Sequence, residues 1–151
     1  MSSAPENAHR TWVRDGFRIS TDPALLDMDA VHGFLTRSYW SPGITLDRVR
    51  AAAANSRCYG LYAPEGYQAG YARVVTDYVA HAYVCDVFVR EPWRGRGLSK
   101  WLVGTICGDP DLQAIRRWVL FTRDAQNLYS RFGFGPIDDP NRLMIRSGGA
   151  A

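Results

Sequence analysis

Residues 87–99 decide the fold, and they read Val-Phe-Val-Arg-Glu-Pro-Trp-Arg-Gly-Arg-Gly-Leu-Ser. The first of them complete a run over residues 82–89 whose two faces are both mainly apolar, which predicts a strand in the middle of a sheet. After the glycines, apolar residues recur at the spacing of a helix packed on a sheet, namely Leu98, Trp101, Leu102, Thr105 and Ile106. A buried strand therefore leads through a glycine loop into an amphipathic helix.

Alternation within residues 82–89 also predicts which side chains share a face. We expect one face to carry Tyr83, Cys85, Val87 and Val89, and the other to carry Val84, Asp86 and Phe88. Asp86 is the one carboxylate in this run, which makes it a candidate functional residue.

The chain before residue 82 predicts three strands and two helices. Residues 12–19 predict a first strand with a kink at Asp15-Gly16. A first helix of about ten residues follows, and Thr45 is a suitable N-cap for a second helix that continues to residue 54. Residues 58–63 and 69–76 then predict an antiparallel hairpin.

The chain after the glycine loop predicts one more strand over residues 118–121 and one more helix from residue 125 to residue 132. We expect Asp124 to be the N-cap of this helix and Gly133 its C-cap. A last strand is expected near residues 143–145. The order of elements predicts an α/β fold: a single domain with a mixed, mostly antiparallel sheet flanked by helices.

Length and composition agree with one globular domain of 151 residues, 46% of them hydrophobic. We expect a flexible N-terminus over residues 1–11, the domain over residues 12–146 and a tail over residues 147–151. No apolar run suits a signal peptide or a membrane span, and the three widely spaced cysteines have no metal-ligand spacing. A cytoplasmic protein with reduced thiols and no membrane partner is therefore expected.

The distribution of charged residues along the chain predicts a local anion-binding site. The net charge is +3, and Arg90, Arg94, Arg96 and Lys100 fall together with one acid, Glu91. A helix N-terminus offers unpaired amides and a partial positive charge, and the glycines allow close approach, so phosphate suits this loop. The alternative is an exposed basic turn that only joins strand to helix. A nucleic-acid binder is disfavoured because the 17 arginines are spread over the whole chain.

Two motifs resemble the GCN5-related N-acetyltransferase (GNAT) family. Arg94-Gly95-Arg96-Gly97-Leu98-Ser99 is similar to the family pattern [R/Q]-x-x-G-x-[G/A] that opens a helix after a central strand, with Ser99 in the last position. Residues 125–134 match the family pattern A-x-x-L-Y-x-x-x-G-F in full, and Thr122 stands where members often have Asn. The resemblance implies an acyl-CoA N-acyltransferase-like fold.

The resemblance further implies transfer of an acetyl group from acetyl-CoA to a primary amine of a small molecule or protein, by direct attack in a ternary complex. The amides from Arg94 to Ser99 would hold the pyrophosphate, and the backbone of Phe88 and Val89 would pair with the pantetheine arm. An acyl-CoA-binding module without turnover is the alternative, and a homodimer is one expectation because dimers are common in the family.

Tyr129 lies in the second motif and is the candidate general acid, because a departing thiolate needs a proton and a phenol suits that role. The alternative is a core tyrosine on the helix stripe. Asp86 is the candidate base, acting directly or through water. It could equally be a structural acid paired with an arginine such as Arg73.

Substrate contacts are expected from Tyr39 and Trp40 in the loop between the first two helices, because aromatic faces suit an amine or an apolar group. Asp77 and Tyr78, in the turn after a hairpin strand, could bind the ammonium. The alternative is that the loop aromatics only cover the core. His9, His32 and His81 are dispersed, so no metal is expected.

Overall fold

The computed structural model describes residues 8–149. Its strands form one six-stranded sheet in sequence order, antiparallel throughout except for the parallel pair β5–β6. The predicted single-domain α/β fold with a mixed, mostly antiparallel sheet is confirmed. The elements in chain order are β1 (Thr11–Arg14), β2 (Phe17–Ser20), α1 (Met28–Leu35), α2 (Leu46–Ala54), β3 (Arg57–Tyr62), β4 (Gln68–Thr76), β5 (His81–Val89), α3 (Leu98–Cys107), β6 (Arg117–Leu120) and α4 (Gln126–Ser130).

The N-terminal segment forms a hairpin, and the prediction of one kinked strand is wrong. Asp15 and Gly16 have φ values of 50° and 82°, and two consecutive left-handed residues reverse the chain in the tight turn that suits a two-residue hairpin. Most of the expected flexible N-terminus, residues 1–7, lies outside the described residues, as do residues 150 and 151 of the expected tail. Within the described part, Arg10 already pairs with Asp111 at 2.8 Å.

Helices cover both faces of the sheet. The larger core lies between the sheet and α3, where Leu102 and Ile106 pack against strand residues such as Leu61. The smaller core lies on the opposite face, under α1 and α2. Thr45 caps α2 as predicted, because its Oγ1 accepts the Arg48 N–H at 3.3 Å.

A β-bulge at Asp86 breaks the predicted alternation of β5. Asp86 has φ 54°, and the register with β4 slips by one residue between the pairs Tyr71–Phe88 and Arg73–Cys85. Val84 consequently packs in the α3 core, whereas Phe88 packs in the core under α1 and α2. The expectation that Val84, Asp86 and Phe88 share one face is wrong, since the extra residue in the bulge exchanges the two faces beyond it.

The C-terminal part also differs from expectation. Helix α4 has five residues and begins after Ala125, whose N–H is accepted by Thr122 Oγ1, so the prediction of Asp124 as N-cap is wrong. Gly133, with φ 89°, lies two residues after the C-cap of α4, Arg131. No strand follows Leu120 within the part of the chain that ends at residue 149, and side chains 143–145 are exposed there. None of the helices in residues 8–149 is long and apolar enough to cross a membrane.

Candidate active site

The glycine loop opens α3 with an uncapped N-terminus. Gly95 and Gly97 have φ values of 80° and 72°, which L-residues rarely adopt, and a Cβ at either position would meet no heavy atom within 4 Å. Gly97 is the N-cap of the ten-residue helix and has no side chain to bond the first amides. The loop therefore leaves space and unpaired N–H donors for a ligand with oxygen acceptors.

A cleft of about 430 Å³ lies between this loop and α4. The cations that line it are Arg94, Lys100 and Arg131, and no carboxylate is among its lining residues. Of the predicted loop residues, Arg96 is exposed but does not line the cleft. The cleft is lined by Val89, Trp93, Arg94, Gly95, Gly97, Leu98, Ser99, Lys100, Asn127, Leu128 and Arg131.

Sequence reasoning missed Asn127 and Arg131 as cleft residues. A signal was present, because residues four apart in the second motif lie on the same face at the end of α4. Arg131 adds a third cation opposite the glycine loop, so the cleft suits a ligand with more than one negative charge.

The edge of β5 beyond this cleft lacks a strand partner. Pairing between β5 and β6 ends at Val84 and Leu120, so among the described strands residues 85–89 of β5 are paired only with β4. The side chains of Phe88 and Val89 are buried, and only their backbone is offered at this edge. Arg94 Nε donates to the Val89 carbonyl oxygen at 2.9 Å, which ties the glycine loop to the end of the strand.

Tyr129 is a buried phenol of α4. Burial raises its pKa to about 12, and nearby Tyr39 acts in the same direction. Its ring packs edge-on against Phe134 with centroids 6.0 Å apart. The hydroxyl is therefore protonated throughout the neutral range and can donate a proton.

Asp86 lies at the bulge, and its carboxylate accepts two side-chain hydrogen bonds. Arg73 Nε donates to Oδ2 at 2.9 Å, and Trp40 Nε1 donates to Oδ1 at 3.0 Å. The structural partner that the sequence suggested, Arg73, is thus present. A carboxylate has about four acceptor sites, so Asp86 can still accept a hydrogen bond from a water or an amine.

The loop after α1 brings Tyr39 and Trp40 together with this carboxylate. Their rings are edge-to-face with centroids 5.0 Å apart. Tyr39 also reaches the segment after β6, where its hydroxyl accepts the Arg123 N–H at 3.4 Å and its ring lies 3.8 Å under the Arg123 guanidinium. Direct contacts therefore connect Asp86 to Trp40 and Trp40 to Tyr39, and Tyr39 is near enough to Tyr129 to affect the pKa of that phenol.

Asp77 and Tyr78 do not lie beside Asp86 and the open edge of β5. They precede β5, whose first residue, His81, lies five residues before Asp86, a separation of about 16 Å along a strand. Asp77 Oδ1 accepts the N–H groups of Val79, Ala80 and His81, and these bonds lower the pKa of the carboxyl. Tyr78 packs against the α3 core. Within residues 8–149, no three His, Cys, Asp or Glu side chains are grouped to hold a metal ion.

The fold and this cleft define a class of protein, one that can hold an anionic ligand where a central strand meets a glycine-opened helix. The sequence profile of the acetyltransferase (GNAT) family matches residues 24–134, and the chain belongs to that family.

Relatives support the same assignment. A protein from Xanthomonas campestris pv. campestris, assigned to the GNAT family of acetyltransferases, is 42% identical, with a TM-score of 0.84 over 87% of this chain and 93% of that one. A Gibberella zeae protein named as an acetyltransferase is 28% identical, and the match covers 81% of this chain and 80% of that one. An acetyltransferase of Clostridium acetobutylicum, solved with acetyl-CoA, shares the fold at 13% identity and a TM-score of 0.61, covering 92% of this chain and 95% of that one.

Proposed function

We propose that this protein transfers the acetyl group of acetyl-CoA to a primary amine while both substrates are bound together. One observation carries the proposal: the cation-lined cleft at the uncapped start of α3 is continuous, through Val89, with the unpaired edge of β5 that leads to Asp86. The Clostridium acetobutylicum structure, which holds acetyl-CoA on the same fold, supports this choice of donor.

The residues of the cleft fit acetyl-CoA. The first amides of α3 and the side chains of Arg94, Lys100 and Arg131 would hold the pyrophosphate, and no lining carboxylate opposes it. The backbone groups of residues 85–89 that neither β4 nor Arg94 uses would pair with the pantetheine amides as a further strand does, which directs the thioester toward the bulge.

Asp86 and Tyr129 would then handle the two protons of the reaction. Asp86, directly or through a water, accepts a proton from the ammonium, and the neutral amine attacks the thioester carbon. The new C–N bond forms, the C–S bond breaks, and Tyr129 donates its hydroxyl proton to the leaving sulfur. The proton that the nitrogen loses as the amide forms then restores the Tyr129 phenol, directly or through a water. A hydroxyl whose pKa is raised to about 12 is protonated when the thiolate departs.

The proposal is tested by measuring thiol release from acetyl-CoA with a panel of monoamines, amino acids, polyamines and aminoglycosides, with product masses determined in parallel. We expect amine-dependent thiol release and a mass gain of one acetyl group on the amine. Binding of acetyl-CoA, detected as a rise in Tm, without release for any amine would instead support the acyl-CoA-binding module.

A further inference from the structure

One part of the sheet face that carries α1 and α2 is not covered by either helix. Val75 on β4, Tyr83 on β5 and Val119 on β6 are cross-strand neighbours in one row, and Phe121 follows two residues after Val119 on the same face. Val75 is 39% exposed and Phe121 is 57% exposed. We call these four residues the apolar strip.

The apolar strip adjoins the candidate active site. The Tyr83 ring packs edge-on against Phe121 with centroids 5.8 Å apart, and Tyr83 lies three residues before Asp86 on β5. Phe121 lies two residues before Arg123, whose backbone N–H bonds to Tyr39. Together with Tyr39 and Trp40, which are also largely exposed, the strip extends an aromatic surface away from the Asp86 carboxylate.

Carboxylates near the strip already have partners. Asp86 is paired with Arg73 at 2.9 Å, and Asp124 is paired with Arg123 at 3.6 Å. The Oδ1 atom of Asp77 accepts the backbone N–H groups of its own turn. The negative charges of Asp86 and Asp124 are therefore partly offset by arginines, so a second ammonium group on a bound acceptor gains less from them.

Two arginines flank the β6 part of the strip. Arg123 is at the end nearest the active site, and Arg117 lies two residues before Val119 on the same face of β6. The cross-strand neighbour of Arg117 is His81, and the described residues give Arg117 no ion pair. The positive charge of Arg117 repels an extended polycation, whereas the positive charge of Arg123 is partly offset by Asp124.

We infer that the acceptor is an amine with a single positive charge and an apolar, preferentially aromatic, body that lies on the apolar strip while its nitrogen reaches Asp86. This inference rests on the proposed acetyl transfer and names its acceptor class. Apolar surface on the strip and on the acceptor is removed from water together, which favours binding. A polyamine or an aminoglycoside buries less apolar surface there and is repelled by Arg117.

The first test compares kcat/KM for 2-phenylethylamine and n-hexylamine with kcat/KM for spermidine and kanamycin at low ionic strength. We expect the two monoamines to exceed the polycations by at least about tenfold. A preference for spermidine or kanamycin overturns the inference but leaves acetyl transfer intact. Absence of thiol release with every amine, despite a Tm rise with acetyl-CoA, overturns the proposed function and this inference with it.

The second test removes one ring of the strip. Phe121→Ala should raise KM for 2-phenylethylamine about five- to tenfold and leave KM for acetyl-CoA unchanged. Tyr67→Ala is the matched control, because Tyr67 is an exposed ring, 66% accessible, in the turn between β3 and β4, and this variant should behave as the wild type. An unchanged KM in Phe121→Ala overturns the inference, as does a change of oligomeric state without a change of KM, which would assign the strip to a second copy.

A third variant tests the charge argument separately. Arg117→Glu should raise the ratio of kcat/KM for spermidine over that for 2-phenylethylamine by about threefold or more, because an attractive charge replaces a repulsive one. The same ratio in the variant and the wild type would show that Arg117 does not face the acceptor. The inferred position of the acceptor's apolar body along the strip would then be wrong.

Discussion

The indole Nε1 of Trp40 donates a hydrogen bond to Oδ1 of Asp86 at 3.0 Å, although 46 residues separate them in the chain. Trp40 belongs to the loop after α1, and Asp86 belongs to the bulge of β5. The bulge turns this carboxylate toward the α1 side of the sheet. The hydrogen bond therefore connects the loop that would contact the acceptor to the candidate base. The two are expected to move together.

Trp40→Phe tests this connection, since it keeps a ring and removes the indole N–H. We expect the free energy of unfolding to fall by about 1 kcal/mol, as for one hydrogen bond. KM for the amine should rise several-fold, and affinity for acetyl-CoA should not change, in steady-state kinetics and titration. Trp12→Phe, on β1 far from the loop, is the control, and an equal rise of KM in both variants would show only general loosening.

Asp86→Asn keeps the size of the side chain and an oxygen for Trp40, and it removes the negative charge that faces Arg73. If Asp86 accepts the proton, turnover at neutral pH should fall by about a hundredfold or more and the acidic limb of the rate profile should flatten. Ser56→Ala is the control, because it removes the other hydrogen-bond partner of Arg73 and leaves Asp86 intact. A wild-type pH profile in folded Asp86→Asn would make Asp86 a structural acid.

Gly97→Glu places a negative charge at the N-cap of α3, where the pyrophosphate is expected. We expect the Tm rise produced by acetyl-CoA in the wild type to disappear. Gly66→Glu is the matched control, because Gly66 also has a positive φ and open space around a Cβ but lies in the turn between β3 and β4. An undiminished Tm rise in folded Gly97→Glu would place the pyrophosphate elsewhere.

Local sequence signals predicted the parts of the fold that depend on local contacts. The Thr45 cap and the strand, glycine loop and helix around Gly97 appear where their residues indicate. The Asp15-Gly16 pair also carried a local signal, because Asp-Gly is typical of a two-residue hairpin turn. The prediction of a kink did not take into account that Asp and Gly both tolerate a positive φ.

The bulge at Asp86 had no comparable signal. Its φ of 54° depends on a register slip against β4, and that slip is set by pairs of residues far apart in the sequence. From the sequence, Asp86 could be identified as a candidate residue, with pairing to Arg73 as one alternative role. The direction of the Asp86 side chain could not be predicted. Asp77 lies in the turn that the sequence indicates, but only the folded turn shows that its Oδ1 accepts backbone N–H groups there.

Alkaline pH should destabilise this protein through its buried phenols. Burial is the main cause that raises the pKa values of Tyr59, Tyr62, Tyr71 and Tyr129. Burial likewise raises the pKa of the Cys85 thiol to about 12. When the folded pKa exceeds the unfolded one, the unfolded chain loses its protons first as pH rises.

The stabilising contribution of the tyrosines is thus complete below about pH 10, the ordinary phenol pKa, and is lost as pH rises toward the folded values. Urea unfolding measured from pH 8 to pH 11 should show a free energy of unfolding that declines above about pH 10. Tyr71→Phe should make the decline shallower, whereas Tyr67→Phe, at an exposed side chain, should leave its slope unchanged. A constant free energy up to pH 11 would contradict this account.

Tyr129→Phe separates the catalytic role of this phenol from its packing. The ring and its contact with Phe134 remain, so the free energy of unfolding should change by no more than about 1 kcal/mol. A general acid is worth about 10² to 10⁴ in rate, so kcat should fall at least about tenfold while affinity for acetyl-CoA changes little. With a pKa of about 12, the wild-type hydroxyl should cause no alkaline decline of kcat below about pH 11.

The nature of the leaving group provides the sharpest form of this prediction. The rate deficit of Tyr129→Phe should shrink for acyl donors whose leaving thiol is more acidic, because a more stable thiolate needs less protonation. Tyr62→Phe is the matched control, since it also removes a buried hydroxyl, one without a hydrogen-bond partner in the described structure, on a strand away from the cleft. If Tyr129→Phe keeps the full kcat under conditions in which chemistry limits the rate, the thiolate takes its proton from solvent or from another residue.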